Sequence, residues 1–155
     1  MKIRFGLVSN SSSSSFIIGA GKIKNLTKFL DECTKNNIAR RRDWYPSRVI
    51  STSEIMSTHI NNIKIESSRL VVTAYTNREP EVSTPFDPSK EENYFVVLEG
   101  NDEGDTAFTT HDYELDYSIV TEDYFVGEQA ELLKLLKNKE LLENVAYRIG
   151  VDRNG

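Results

Sequence analysis

The sequence predicts a single α+β domain over residues 1–155, with a mostly antiparallel sheet, an N-terminal strand-loop-strand and C-terminal helices. The 155 residues include 38% hydrophobic and 10% aromatic residues with only 4 Pro and 8 Gly, a composition typical of one folded domain. In some segments apolar side chains alternate with polar ones, as in a strand, and in others they recur with the period of a helix. The two kinds of segment are segregated along the chain, which favours an α+β over an α/β architecture.

The N-terminal region contains two short apolar runs on either side of a serine tract. Residues 2–8 alternate polar and apolar side chains before becoming apolar, and residues 16–18 resume that character. Both runs predict strands, and the intervening serines predict a loop. The sequence Gly19-Ala20-Gly21 is expected to end the second strand, because paired glycines punctuate regular structure.

Two helices with N-terminal caps follow. Asn25 is a favourable N-cap, and the spacing of Leu26, Phe29, Leu30 and Cys33 predicts an amphipathic helix that buries all four and ends near residue 36. Ser51 and Glu54 match a capping box, which predicts a second, short helix reaching Ile60.

The remainder of the chain predicts further strands, one long loop and two helices. Strands are expected at 63–65 and 70–75, joined at Ser67-Ser68, at 94–98 and 106–110, and at 111–120 with an acidic outer face. Residues 77–90 hold three of the four prolines and predict an irregular loop. The leucine pattern from Glu128 predicts a helix, and a second helix is expected over 139–148.

The serine tract is a candidate anion site. Hydroxyls together with the backbone N–H groups of a tight turn can surround an anion, and a nearby arginine adds positive charge. A solvated bend is the alternative interpretation. The residues predicted for ligand or anion binding are Arg4, Ser9, Asn10, Ser11, Ser12, Ser13, Ser14 and Ser15.

Charge divides the chain into two parts. Residues 91–133 contain 13 acidic residues and no Lys or Arg, so the other 112 residues hold 24 − 13 = 11 acids against 19 bases. An acidic surface of this kind can dock on a basic partner or pack beside the basic part of the same chain. The arginine-rich stretch 40–48 suits phosphate or an acidic protein surface. Predicted partner-binding residues are Asp112, Glu114, Asp116, Glu122, Asp123, Arg40, Arg41, Arg42 and Trp44.

No complete catalytic or cofactor motif is present in the sequence. Neither a G-x-S-x-G elbow nor a glycine-rich nucleotide loop occurs, and the acidic turn at 101–105 lacks calcium-loop spacing. A single cysteine, Cys33, allows no intrachain disulfide and indicates a reducing compartment. We therefore expect no catalytic residue, no cofactor and no metal, and a cytoplasmic protein without a membrane span, since the apolar runs are too short.

The first residues carry a recurring string. Arg4, Gly6, the sequence 8–10, the five serines and Phe16-Ile17 resemble the start of small uncharacterised proteins of bacteriophages and bacteria that open with G-x-V-S-N-S-S-S-S-S-F. The resemblance covers residues 2–18 and implies a phage-related origin, with location in the bacterial host cytoplasm.

The function expected from these observations is that of a non-enzymatic accessory protein that binds and modulates a host macromolecule through the acidic surface. A host protein is the expected partner. Two alternatives stay open: a small-ligand or nucleotide-handling protein with an anion on the serine loop, and a nucleic-acid binder using the arginine-rich segment.

Overall fold

The computed structural model describes residues 13–36, 47–75, 78–100, 115–116 and 127–153. In chain order the elements of these ranges are β1 (Ser13–Ile23), α1 (Leu26–Lys35), β2 (Arg48–Ser51), α2 (Thr52–Ser57), β3 (Ile63–Glu66), β4 (Arg69–Tyr75), β5 (Arg78–Pro85), β6 (Asn93–Gly100), β7 (Leu115–Asp116), α3 (Gly127–Leu136) and β8 (Leu142–Arg153). Helices and strands do not alternate regularly in this order, and every strand pair within these ranges is antiparallel. The predicted α+β class with an antiparallel sheet is confirmed.

The strands form two sheets. The larger has five strands in the order β2-β6-β1-β8-β7, and the smaller has three in the order β3-β4-β5. β1 is central to the larger sheet, where Ile17 pairs with Glu99 of β6 on one side and with Ile149 of β8 on the other. The sheet therefore joins the beginning and the end of the chain directly.

Apolar side chains cover both faces of the larger sheet. One face packs on α1 and α3 through a cluster that includes Ile17, Phe29, Phe95 and Leu132. The opposite face packs on the smaller sheet through a second cluster that includes Ile18 and Leu70. Alternating residues of β1 thus point to opposite cores, as expected for a strand. The result is three layers: α1 with α3, the five-stranded sheet, and the three-stranded sheet, on whose side α2 packs through Ile55.

Both predicted helix caps are present. The Asn25 side chain accepts a hydrogen bond from the Lys28 backbone N–H at 3.0 Å, and α1 begins at the next residue. Ser51 Oγ accepts from the Glu54 N–H at 3.1 Å, although α2 ends at Ser57 and is shorter than predicted. The predicted apolar face of α1 is only half correct. Phe29 and Cys33 are buried, but Leu26 and Leu30 are 37% and 42% exposed.

The hairpin of β3 and β4 is also confirmed. Ser67 and Ser68 form its two-residue turn with φ angles of 53° and 62°. Positive φ at both central residues matches the right-handed twist of the flanking strands. The predicted strand at 94–98 lies within β6, and the helix predicted from Glu128 is α3.

Four local predictions are wrong. Ser13, Ser14 and Ser15 belong to β1 instead of a loop, and β1 continues through Gly19 and Gly21 to Ile23. The expected loop at 77–90 contains β5, and the expected helix at 139–148 is replaced by β8. Only the first of the two predicted C-terminal helices forms. In each case strand pairing overrides the local signal: β1 and β8 pair with each other across the chain, and β5 pairs with the preceding strand β4.

Several predictions lie outside the described residues. These are the strand at 2–8, the hairpin strand at 106–110 and most of the strand at 111–120. Within that last range Leu115 and Asp116 do form a strand, β7, which pairs with β8.

Candidate functional site

The predicted anion site is divided by the structure. Ser13, Ser14 and Ser15 pair with Arg153, Asp152 and Val151 of β8. Their backbone belongs to an antiparallel ladder, so these three serines do not form the predicted turn. Arg4, Ser9, Asn10, Ser11 and Ser12 lie outside the described residues. Anion binding at the serine tract stays a prediction.

Of the predicted partner-binding residues, the structure describes Asp116. It lies in β7, the last strand of the five-stranded order, opposite Val151 of β8. The others, Asp112, Glu114, Glu122, Asp123, Arg40, Arg41, Arg42 and Trp44, lie outside the described ranges. Arg48, at the end of the arginine-rich stretch, forms an ion pair with Glu54 at 2.7 Å.

Some acidic residues of segment 91–133 form hydrogen bonds or ion pairs with other residues of the same chain. Glu91 accepts a hydrogen bond from Ser53 Oγ at 2.6 Å, and Glu92 forms an ion pair with Lys22 at 3.1 Å. Glu99 is only 4% exposed and accepts from Ser47 Oγ at 2.9 Å. The acidic segment is therefore not one continuous surface, because its first three carboxylates bind side chains of neighbouring elements within the protein.

Lys22 connects two parts of the chain through carboxylates. Its Nζ lies 3.1 Å from Glu92 Oε2 and 2.9 Å from Glu143 Oε2. The hydrogen bond to Glu143, followed by the one to Glu92, raises the pKa of Lys22, and the same contact lowers the pKa of Glu143. Tyr94 donates its hydroxyl to Glu92 Oε1 at 3.2 Å. Burial, followed by the Glu92 charge, raises the pKa of Tyr94 to about 12.

A groove of about 540 Å³ lies where α3 ends and β8 begins. Lys24, Lys137 and Lys139 line it together with Glu143, which is paired to Lys22. The remaining lining residues are Leu136, Leu142, Asn144, Val145 and Tyr147. The groove thus combines lysine side chains with apolar and aromatic surface, and we refer to it as the lysine groove.

Two glycines of β1 shape the lysine groove. A Cβ on Gly19 would lie 2.9 Å from Leu136 Cδ1, and a Cβ on Gly21 would lie 2.6 Å from Val145 Cγ2. The groove walls approach β1 this closely because neither glycine carries a side chain. The Gly19-Ala20-Gly21 sequence, predicted to end a strand, instead makes room for α3 and β8.

A β-bulge further defines the groove. The pairing of β1 and β8 shifts between Ala20 and Lys22, and Asn144, in this bulge of β8, has a φ of 56°. Asn tolerates this left-handed conformation better than most residues. The Asn144 carbonyl accepts a hydrogen bond from the buried Thr84 hydroxyl at 2.6 Å. Thr84 belongs to β5, so the smaller sheet holds the bulge in place.

Sequence reasoning missed the lysine groove because residues 139–148 were assigned to a helix. At the end of the helix predicted from Glu128, Lys137 and Lys139 would complement the helix dipole and would need no ligand. A usable signal was present, since Val145, Tyr147, Ile149 and Val151 alternate with other residues at the strand period of two.

Reactive and metal-binding groups are scarce in the described part of the chain. Cys33 is buried, and burial raises its pKa to about 11, so its thiolate is disfavoured. Within residues 13–36, 47–75, 78–100, 115–116 and 127–153 no group of three or more His, Cys, Asp or Glu could hold a metal ion. Among the same residues, no helix is long and apolar enough to cross a membrane.

Comparison of the chain with protein-family models, curated proteins and solved structures finds no match. Two features of the described residues bear on function: β7, the last strand of the five-stranded order, contains Asp116, and the lysine groove lies at the opposite end of β8.

Proposed function

We propose that this protein is a non-enzymatic accessory protein, of bacteriophage type, that binds and modulates a host macromolecule through an acidic surface around β7. The observation that carries the proposal is the position of Asp116 in β7, the outermost strand that the described residues contribute to the five-stranded order. Its neighbours in sequence, Asp112 and Glu114, occupy alternate positions of the same predicted strand. The phage assignment rests on the opening string at residues 2–18.

An edge strand offers backbone groups that can pair with another chain. Here the strand lies within the 43-residue run that contains no Lys or Arg. Negative charge of this density attracts basic surfaces and speeds their association. A host protein with an exposed basic surface is the partner that this chemistry favours.

The test is affinity capture from bacterial lysate with quantification of each captured protein. Wild type is compared with the triple variant Asp112→Asn, Glu114→Gln and Asp116→Asn. The matched control also removes three negative charges, but at exposed positions elsewhere in the chain: Asp31→Asn, Glu66→Gln and Glu140→Gln.

The proposal expects one or a few proteins that wild type and the control retain, that the triple variant loses, and that rising salt releases. The purified partner should then bind wild type with at least about tenfold higher affinity than it binds the triple variant. An identical captured set for all three proteins would contradict the acidic surface as the contact.

The two alternative functions receive different support. The lysine groove favours a small anionic ligand, at a position other than the serine tract. Nucleic-acid binding through the arginine-rich stretch is less favoured, because one of its four arginines, Arg48, is already paired with Glu54. Its contribution would appear as an affinity that falls steeply with salt.

A further inference from the structure

The lysine groove has the dimensions of a small-molecule site. Its volume of about 540 Å³ falls within the range of roughly 300–1,000 Å³ that is typical of ligand pockets. A stable protein interface needs roughly 800 Å² on each partner, usually from twenty or more residues. Nine of the described residues line the groove, which is too few for such an interface. Its size therefore favours a small ligand over a folded partner.

The charges of the groove favour an anion. Lys24, Lys137 and Lys139 carry three positive charges, whereas Glu143 is the one acidic residue among the described residues of the lining. That carboxylate lies 2.9 Å from the Lys22 ammonium, which it shares with Glu92, and the three lysines of the lining outnumber it. The groove consequently presents a net positive charge to a ligand.

The position of Lys24 is set by its own hydrogen bond. Its Nζ donates to the Lys139 carbonyl at 2.9 Å, while its backbone N–H donates to the Leu141 carbonyl at 2.9 Å. An ammonium has three N–H donors, so one bond to a carbonyl leaves capacity for a ligand oxygen. Lys24 is thus held at the groove before any ligand arrives, which reduces the entropy lost on binding.

The groove also has an apolar part that could cover the hydrophobic portion of a ligand. Of the apolar lining residues, Leu136 and Leu142 are each 2% exposed, and Val145 and Tyr147 are half-buried. Gly19 and Gly21 leave room for Leu136, Tyr147 and Val145 to pack against β1. An apolar chain or ring lying along this surface would be removed from water, which is favourable in proportion to the area covered.

We propose that the lysine groove binds a small amphipathic anion, with its carboxylate at Lys24 and Lys139 and its apolar chain along Val145 and Tyr147. This site is separate from the acidic surface of the proposed function, and neither depends on the other. The ligand class is defined by two requirements: one anionic head group and an apolar body.

The experiment titrates the intact protein with decanoate, decanol and decyltrimethylammonium, which share one apolar chain and differ in head charge. Calorimetry gives the affinity, and backbone amide NMR shifts locate the site. Decanoate should bind at least about tenfold more tightly than decanol, and decyltrimethylammonium more weakly still. The amide shifts should concentrate at residues 136–147 and at Lys24.

Lysine variants test the assigned head-group contacts. Lys24→Gln with Lys139→Gln should weaken decanoate binding at least about tenfold and leave decanol binding unchanged. The matched control, Lys28→Gln with Lys64→Gln, removes two exposed lysines elsewhere and should bind decanoate like wild type. All four positions are exposed, so thermal unfolding should show that both variants fold.

Four results would overturn the proposal. They are no decanoate binding at millimolar concentration, equal affinities for decanoate and decanol, amide shifts confined to another region, and equal losses in the test and control variants. None of these measurements involves affinity capture by the acidic surface, so failure of this proposal can be distinguished from failure of the proposed function.

Discussion

Gly21 and Val145 pack so closely that a Cβ atom on Gly21 would lie 2.6 Å from Val145 Cγ2. This contact lies at the β-bulge between β1 and β8, beside the lysine groove. Val145 is β-branched and therefore restricted at χ1, so it cannot move aside cheaply. At Gly19 the nearest atoms belong to the end of the Leu136 side chain, which can rotate.

Gly21→Ala should lower the free energy of unfolding by about 1–3 kcal/mol, the usual cost of overpacking a tight core. The measurement is urea denaturation. Val145→Ala should recover at least half of the loss when combined with Gly21→Ala, because it removes the clashing methyl groups. A double-mutant cycle measures this coupling directly.

Gly127→Ala provides the control for that cycle. Gly127 has a φ of 64°, and a Cβ atom on it would meet nothing within 4 Å, so alanine there costs only backbone strain, about 1 kcal/mol. Val145→Ala should not rescue it. Additive effects of Gly21→Ala and Val145→Ala would show that their contact is not what excludes a side chain.

Thr84→Val should destabilise the protein by about 1–2 kcal/mol. The buried Thr84 hydroxyl donates to the Asn144 carbonyl at 2.6 Å, and valine leaves that carbonyl without this donor. Denaturant unfolding measures the loss, and the amide shifts of residues 142–147 should change with it. Thr84→Ser keeps the hydroxyl and should leave those shifts close to wild type. A larger change in stability and amide shifts for Thr84→Ser than for Thr84→Val would contradict the role of the hydrogen bond.

Stability should fall with rising pH in the alkaline range. Burial of Tyr94, followed by the Glu92 charge, raises its pKa from 10.0 to about 12. Between these values the native state keeps a proton that the unfolded state loses, so the free energy of unfolding decreases as pH rises. The Lys22 pKa is also raised, by Glu143 and Glu92, and acts in the same direction.

Tyr94→Phe tests the tyrosine part of this effect. Between about pH 10 and about pH 12 wild type should lose about 2 kcal/mol more stability than the variant does. Urea denaturation across this range gives the difference, and absorbance at the tyrosinate band follows the titration itself. Parallel stability curves for the two proteins would contradict the assignment to Tyr94.

The Cys33 thiol should react slowly in the native protein. It is buried, and burial, followed by the Glu32 charge, raises its pKa to about 11. Near neutral pH a disulfide reagent should therefore modify native Cys33 at least about 100-fold more slowly than the urea-unfolded chain. Ser57→Cys in a Cys33→Ser background places a thiol at an exposed position and should react rapidly. Similar rates at the two positions would show that Cys33 is accessible.

Local signals predicted those elements whose causes are local. The side-chain cap at Asn25, the cap at Ser51 and the turn at Ser67-Ser68 each depend on residues within four positions of one another. Such interactions are readable from sequence because no distant partner is needed. The leucine period of α3 is readable for the same reason.

β5 shows why other elements could not be predicted. Its Pro80 and Pro85 are strong loop signals, yet the segment is the outer strand of the three-stranded sheet. Proline is tolerated in an edge strand, where some backbone N–H groups need no partner in the sheet. Only the position in the sheet distinguishes an edge strand from a loop.

The sequence by itself determined the α+β class, the capped helices and the charge division of this protein, since composition, capping and periodicity act over short distances. The tertiary structure decided that the last serines of the tract and residues 142–153 are strands. Ser13 pairs with Arg153 across almost the whole chain, and each strand acquires its hydrogen bonds from the other. The same pairing brings Lys24 beside Lys139 and places two glycines under the groove, an arrangement that long-range strand pairing alone could create.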